Sequence, residues 1–252
     1  MINEILYKKI KEMKRDYNII AIKSEFEAEG STFRDICRLR ILTSRVDTSL
    51  YLKIGGYEAV RDIIDSLELD VDGIVVPMVE NAFNIKKFYQ SYEMIYNGED
   101  RFIGINIESD HAIRNIDEIF SICSDLPFSG VTFGRSDLTA SYGNNLSVED
   151  DVITNTIIEY GKRFKDIGYK VTMGGSVSTD TIDTIRNNPE LLDVIDRMET
   201  RKVVFDPKML SEKILRDIFD FERYYIMYKK EISDIVIQSE MKRLTDLERR
   251  IR

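Results

Sequence analysis

Short apolar runs of period two alternate with amphipathic stretches of period three to four along almost all of residues 1–206, and this alternation leaves few folds open. NIIAIKSEFE, SLYLKIGG, DGIVVPMVE, FIGINIE, GVTFG and YKVTMGG read as strands. Between them TFRDICRLRILTSR, YEAVRDIIDSL, NIKKFYQSYEMIY, IRNIDEIFSIC, VEDDVITNTIIEYGKRFKDI and TDTIDTIRN read as helices. Strands separated by helices pair in parallel, and 252 residues accommodate a closed (β/α)8 TIM barrel better than an open doubly wound sheet. The last strands are ambiguous, because LDVIDRMET and KVVFD lie so close that they are two strands or one strand and its loop.

No repeat or linker divides the chain, so a single domain is expected: an N-terminal helix over 1–17, a barrel over 18–206 and a helical extension over 207–252. In that extension Ile237, Met241, Leu244, Leu247 and Ile251 recur at three- and four-residue steps. Such a stripe either covers the chain's own barrel or packs on another subunit, and the second option fits a homo-oligomer joined through helices.

The formal charge of −9 and pI near 4.9 argue against nucleic acid as a partner. Cys37 and Cys123 are isolated and suit a reducing compartment. MINEILYKKIKEMKRDY mixes acids and bases without a long apolar run, so neither a signal peptide nor a membrane span is expected, and the cytoplasm is the expected location.

Barrel chemistry sits where the strands end, and the strand ends here are polar. The first closes with Lys23, Glu25 and Glu27, the second with Lys53 before Gly55 and Gly56, and the fourth with Asn106 and Glu108. The fifth leads into GRSDLTASYG with Asp137, and the sixth ends in Thr172, Gly174 and Gly175. In FIGINIESD, residues 102–110, Glu108 shares a face with Gly104 and Asn106, while Ser109 and Asp110 have the composition of a helix N-cap; Glu108 is thus a solvated strand end or a site residue.

Carboxylates converging from neighbouring strands repel unless a cation lies between them. Glu108 and Asp137 are therefore read as an all-oxygen site for Mg2+ or Mn2+. His111 is the sole histidine, which excludes histidine-rich metal sites and any Ser-His-Asp or Cys-His mechanism. Lys53 can pair with a barrel acid, hold a substrate carboxylate or, with a depressed pKa, form a Schiff base. TMGGSVS is a plain loop or a backbone anion nest.

LKIGGYEAVRDI, GIVVPMVEN, INIES and GVTFGRSDLTASYG, in this order at successive strand ends, resemble the HpcH/HpaI aldolase and citrate lyase β-subunit family, metal-dependent (β/α)8 enzymes of the phosphoenolpyruvate/pyruvate superfamily. The resemblance runs from about strand one to strand six. It implies that Glu108 and Asp137 bind the metal and that Asn106 faces it. It also implies that Lys53 lies near the family's carboxylate-binding arginine, keeping the charge without the bidentate fork.

One departure is clear: Phe26 in KSEFE occupies the position where aldolase members carry a histidine base, leaving Glu25 and the additional Glu27 to move protons. The implied activity is carbon–carbon cleavage or condensation through an enolate of pyruvate or a small 2-oxo acid. Lys53, Glu25 and Glu27 would be catalytic, and Lys23, Gly55, Gly56, Asn106, Gly174 and Gly175 would bind substrate. Glu199 and Arg201 in METRK are further candidates, or an ordinary ion pair. A citryl- or malyl-CoA-type thioester lyase and a catalytically silent barrel serving in binding or assembly are the competing readings.

Overall fold

The computed structural model describes residues 2–143, 146–232 and 238–251. Eight strands close into a barrel in sequence order: β1 (Ala21–Glu25), β2 (Ser49–Lys53), β3 (Gly73–Val76), β4 (Phe102–Ile107), β5 (Gly130–Gly134), β6 (Lys170–Gly174), β7 (Arg197–Glu199) and β8 (Val203–Phe205). The first connections carry α2 (Phe33–Arg45), α3 (Val60–Glu68) and α4 (Ala82–Tyr96). The next hold α5 (Asp110–Arg114) with α6 (Ile116–Asp125), then α7 (Arg135–Ser141) with α8 (Asp151–Asp166), then α9 (Thr179–Asn187) with α10 (Pro189–Val194). Outside the barrel sequence lie α1 (Ile2–Tyr17), α11 (Glu212–Ile232) and α12 (Gln238–Ile251). None of the described helices is long and apolar enough to cross a membrane.

Side-chain alternation builds the two layers. Ile103, Ile105 and Ile107 on β4 are buried in the large apolar cluster shared with the helices, so Gly104, Asn106 and Glu108 take the opposite face, toward the barrel axis. Near the start of the strands, the Tyr51 and Phe102 rings stack with centroids 4.7 Å apart and planes parallel. Small residues make room for this slab. A Cβ on Gly73 would lie 2.8 Å from the Tyr51 ring, and one on Gly130 would meet the Lys170 carbonyl at 2.7 Å and the Phe102 ring at 3.0 Å.

Helix starts are fixed by their own side chains. Thr32 and Asp35 form a reciprocal capping box for α2, Asn81 caps α4, and Ser178 with Thr181 caps α9. Ser109 caps α5 by accepting from the Ala112 amide at 3.1 Å. The cap is thus Ser109, and Glu108 is left to point inward.

The all-parallel expectation fails at the eighth strand. The β7–β8 connection is three residues, too short for a crossover, so β8 turns back and pairs antiparallel with both β7 and β1. LDVIDRMET and KVVFD are therefore α10 with β7, and β8. Two further differences are local: IRNIDEIFSIC breaks at Asn115 into α5 and α6, and RSDLTAS is the helix α7.

The β7–β8 turn is anchored from within. Lys202, 1% exposed, pairs with the fully buried Glu29, which also accepts from Ser24 and Ser31, and its ammonium lies 4.2 Å from the Tyr225 ring centroid on α11. Beyond it, α12 packs on α11 through buried Leu247 and half-buried Leu244, with Arg243 donating to Glu222 at 2.6 and 2.9 Å. The extension thus covers its own barrel, while Ile237 and the side chains of Met241 and Ile251 lie outside the described residues.

Lys202→Met is expected to lower stability by about 3–5 kcal/mol, because Glu29 is left charged and buried. Adding Glu29→Gln should recover much of that loss in urea unfolding.

Candidate active site

At the carboxyl ends of the strands the barrel opens into a cavity of about 480 Å3. β1 and β2 supply Lys23, Glu25 and Lys53; β4 and the turn after it supply Asn106 and Glu108. Ser136 and Asp137 come from the first turn of α7, and Gly175 and Ser176 from the loop after β6. Glu199 closes β7, Arg201 sits in the β7–β8 turn, and Lys242, Arg243 and Asp246 reach the cavity from α12.

Strand register sets charges of opposite sign beside one another. Glu25 and Lys53 are partners across β1 and β2, with Lys53 Nζ 3.2 Å from Glu25 Oε2. Lys23 pairs with Glu199, and Arg201 lies 3.8 Å from Glu25 on one side and 3.5 Å from Glu240 on the other. Burial pushes the Glu25 carboxyl up, but Lys53, Lys23 and Arg201 more than offset it and hold its pKa below the ordinary glutamate value. Burial likewise pushes the Lys53 ammonium down, yet Glu25, Glu108 and Glu199 raise it above its ordinary value. A charged, acid-paired Lys53 is suited to holding a carboxylate and unsuited to Schiff-base chemistry, which needs the neutral amine.

Glu108 has the opposite character. It is 4% exposed, and burial raises its pKa, with the nearby Asp137 charge adding to the rise against Lys53 and the Met78 amide. Its two oxygens accept from Met78 N at 2.9 Å and Asn106 Nδ2 at 3.1 Å. Met78 offers that amide from a left-handed backbone, φ 51°, which a non-glycine residue adopts at a cost. Asn106 Oδ1 is buried and accepts no hydrogen bond.

This donor set fits a hard divalent cation: a buried Glu108 carboxylate whose charge is made costlier by the nearby Asp137, and a buried amide oxygen lacking a partner. Among the described residues, no three His, Cys, Asp or Glu side chains gather as a metal cage, so an ion here would rely on Glu108, Asp137 and retained water or substrate oxygens.

Of the residues singled out from sequence, the cavity brings together Lys23, Glu25, Lys53, Asn106, Glu108, Asp137, Gly175, Glu199 and Arg201. It does not include Glu27, Gly55, Gly56 or Gly174 in its lining. Glu27 is exposed and turned toward Gly55, where an added Cβ would lie 2.9 Å from its side chain. Gly174 leaves room for Glu199, and Gly175, φ 85°, packs so closely on α7 that a Cβ would sit 2.5 Å from the Ser136 amide. The glycine pair of TMGGSVS therefore serves close packing. Arg135, buried beneath it, donates to the Gly174 and Gly175 carbonyls and to Glu149. Phe26 is half-buried and packs against the core, and His111 is exposed on α5.

Ser136, Ser176, Lys242, Arg243 and Asp246 escaped the sequence reading. Ser136 stands beside Asp137 in GRSD and could have been found there, its hydroxyl 2.8 Å from that of Ser176. The α12 residues carry no local signal, since only the fold-back of the last helix brings them to the cavity.

Because the folded Glu108 pKa is raised, its contribution to stability is fully present below the ordinary glutamate pKa and is lost as pH rises through the raised value. In chelator-treated protein, Glu108→Gln should therefore gain stability over the wild type as pH rises from about 4 to about 7. An unchanged difference across that range in urea titrations would contradict the buried-charge account.

Residues 52–168 match the model of the HpcH/HpaI aldolase/citrate lyase family. Among curated proteins, none matches the sequence. Several solved structures share the fold. The HpcH/HpaI aldolase from Desulfitobacterium hafniense DCB-2 aligns with a TM-score of 0.62 at 14% identity, covering 77% of this chain and 82% of that one. An HpcH/HpaI aldolase/citrate lyase family protein from Burkholderia cenocepacia J2315 gives 0.59 at 12% identity over 73% and 80% of the two chains. The citrate synthase SbnG gives 0.58 at 15% identity over 92% and 91%. The resemblance read from the motifs holds from β2 to the end of α8, where the chain carries the HpcH/HpaI aldolase/citrate lyase pattern on the barrel fold of these neighbours; the match leaves out β1 and β6, to which the motifs had extended it.

Proposed function

We propose that the protein is a divalent-metal-dependent carbon–carbon lyase or aldolase acting through the enolate of pyruvate or a related small 2-oxo acid. One observation carries this reading: the buried Glu108, with the unpartnered amide oxygen of Asn106 and the exposed carboxylate of Asp137 in the same cavity, lies across from the Glu25–Lys53 ion pair that lines it too. Glu108 and Asp137 would hold Mg2+ or Mn2+, with Asn106 Oδ1 in reach. When bound, the ion supplies Lewis-acid stabilisation of the negative charge that develops on the substrate oxygen.

The remaining roles fall to the chain's own side chains. Lys53 binds the substrate carboxylate as a permanent ammonium. Each incoming carboxylate competes with Glu25 for that ammonium. As Lys53 turns to the substrate, Glu25 loses its nearest cation while remaining buried, so its proton affinity rises and it can take the proton from the carbon next to the carbonyl. Arg201 remains on the far side of Glu25 and keeps the rise within bounds. Phe26 brings no imidazole to this step, which leaves Glu25 as the base inside the cavity and Glu27 without access to it. A cavity partly roofed by α12 suits a compact acid better than a thioester with a long carrier arm.

Proton exchange at the methyl group of pyruvate and the methylene of 2-oxobutyrate, followed by NMR in deuterated water with Mg2+ or Mn2+, tests the reading without knowledge of the acceptor. Metal-dependent exchange is expected in the wild type, reduced at least about a hundredfold in Glu25→Gln, in line with loss of a general base. Glu108→Gln should abolish the response to metal. Absence of exchange from wild-type protein that binds metal would overturn the enolate chemistry.

A further inference from the structure

Arg201 links the Glu25 carboxylate inside the cavity to the Glu240 carboxylate on α12, which does not line it. Its Nε lies 3.8 Å from Glu25 Oε1 and its Nη1 lies 3.5 Å from Glu240 Oε1, both longer than a hydrogen bond. Nη1 and Glu240 Oε1 are buried, and neither has a hydrogen-bond partner. A guanidinium free to choose closes on one carboxylate at about 2.8 Å, so one held short of two acids is drawn by each away from the other.

The surrounding charges leave this balance to the two acids. Glu240, 4% exposed, faces Lys229 on α11 at 3.9 Å, and feels Lys202 of the β7–β8 turn and Glu29 of the β1–α2 loop. Both lysines are engaged elsewhere: Lys229 donates to the Glu29 carbonyl at 2.6 Å, and Lys202 pairs with the Glu29 carboxylate. Glu25 faces Lys53 at 3.2 Å and feels Lys23, Arg201 and Lys202. Of these, Lys23 is taken by Glu199, and Lys53 is the cation that a substrate carboxylate would draw off. In the loaded site, Arg201 is then the cation that sets the proton affinity of Glu25.

We propose that Glu240 is a positioning residue for proton transfer at Glu25: its carboxylate holds the Arg201 guanidinium back, so that Glu25 stays basic enough to take the substrate proton. The inference rests on the enolate reading for the identity of the base. Were Glu240 neutral, Arg201 would close on Glu25, the charged carboxylate would gain a hydrogen-bonded partner, and the base would weaken. α12 thus tunes the base from outside the cavity, through a residue that touches no substrate.

Crystal structures of wild type and Glu240→Gln, together with the pH dependence of metal-dependent pyruvate exchange, test this role. Glutamine keeps the shape without the charge, and Arg243 with Glu222 and the buried Leu247 keep α12 docked. In Glu240→Gln the separation of Arg201 from Glu25 should close from 3.8 Å to about 2.8 Å. The acidic limb of exchange should move to lower pH by about half a pH unit or more, with the plateau rate reduced about threefold. Glu240→Asp, which keeps the charge, should restore the wild-type profile. Arg201 unmoved in Glu240→Gln, an unshifted acidic limb, or an α12 lifted away with the same loss in Glu240→Asp would overturn the role. Failure of the enolate reading looks different: Arg201 closes on Glu25 in Glu240→Gln, but not even the wild type exchanges pyruvate protons.

Discussion

Buried charge inside the barrel is the constraint on which the rest depends. An ordinary TIM barrel fills its axis with branched apolar side chains, whereas this one places Lys23, Glu25, Glu108 and Glu199 there with at most 7% exposure. Charges so placed must be matched or they neutralise themselves by shifting pKa. Most are matched, through the register of β1 on β2 and the closure of β7 onto β1 through β8. The buried acid left over is Glu108, whose pKa is raised by burial with the Asp137 charge adding to the rise, and it is there that the proposed cation would sit. Function in this fold is thus a residue of incomplete pairing: the groups that the structure does not satisfy are the groups available to a ligand.

The reversed eighth strand shapes the site as much as the acids do. A tight β7–β8 turn brings Arg201 to the rim and Lys202 to the interior in consecutive positions. Lys202 ties the turn to Glu29 and to Tyr225 on α11, while Arg201 contacts Glu25 inside and Glu240 on α12 outside. The same turn therefore joins the cavity to the helix that roofs it. α12 is held over the mouth by Arg243 with Glu222, by Arg201 near Glu240, and by Leu247 as a buried apolar anchor.

Much of this was legible in the sequence because local patterns carried it. Alternation marked six strands and most helices, and inward parity on β4 singled out Asn106 and Glu108. Lys53 and Glu25 were visible as polar ends of apolar strands. What escaped was set by contacts distant in sequence. The antiparallel β8 follows from a three-residue connection whose strand status was ambiguous, and Lys242 reaches the cavity only because α12 folds back. Parity also overreached: Glu27 shares the face of Lys23 and Glu25, but the strand ends at Glu25 and the chain turns, so Glu27 emerges at the surface. Gly55, Gly56 and Gly174 looked like room for a ligand, whereas Gly55 and Gly174 are room for neighbouring side chains.

Crystals soaked in Mn2+ and measured at a wavelength where manganese scatters anomalously test the central claim most directly. The account predicts one strong anomalous peak at the barrel mouth, within coordination distance of a carboxylate oxygen of Glu108 and one of Asp137, and its loss in Glu108→Gln. Well-ordered crystals of wild-type protein with no peak there at saturating Mn2+, or with the peak elsewhere, would contradict it.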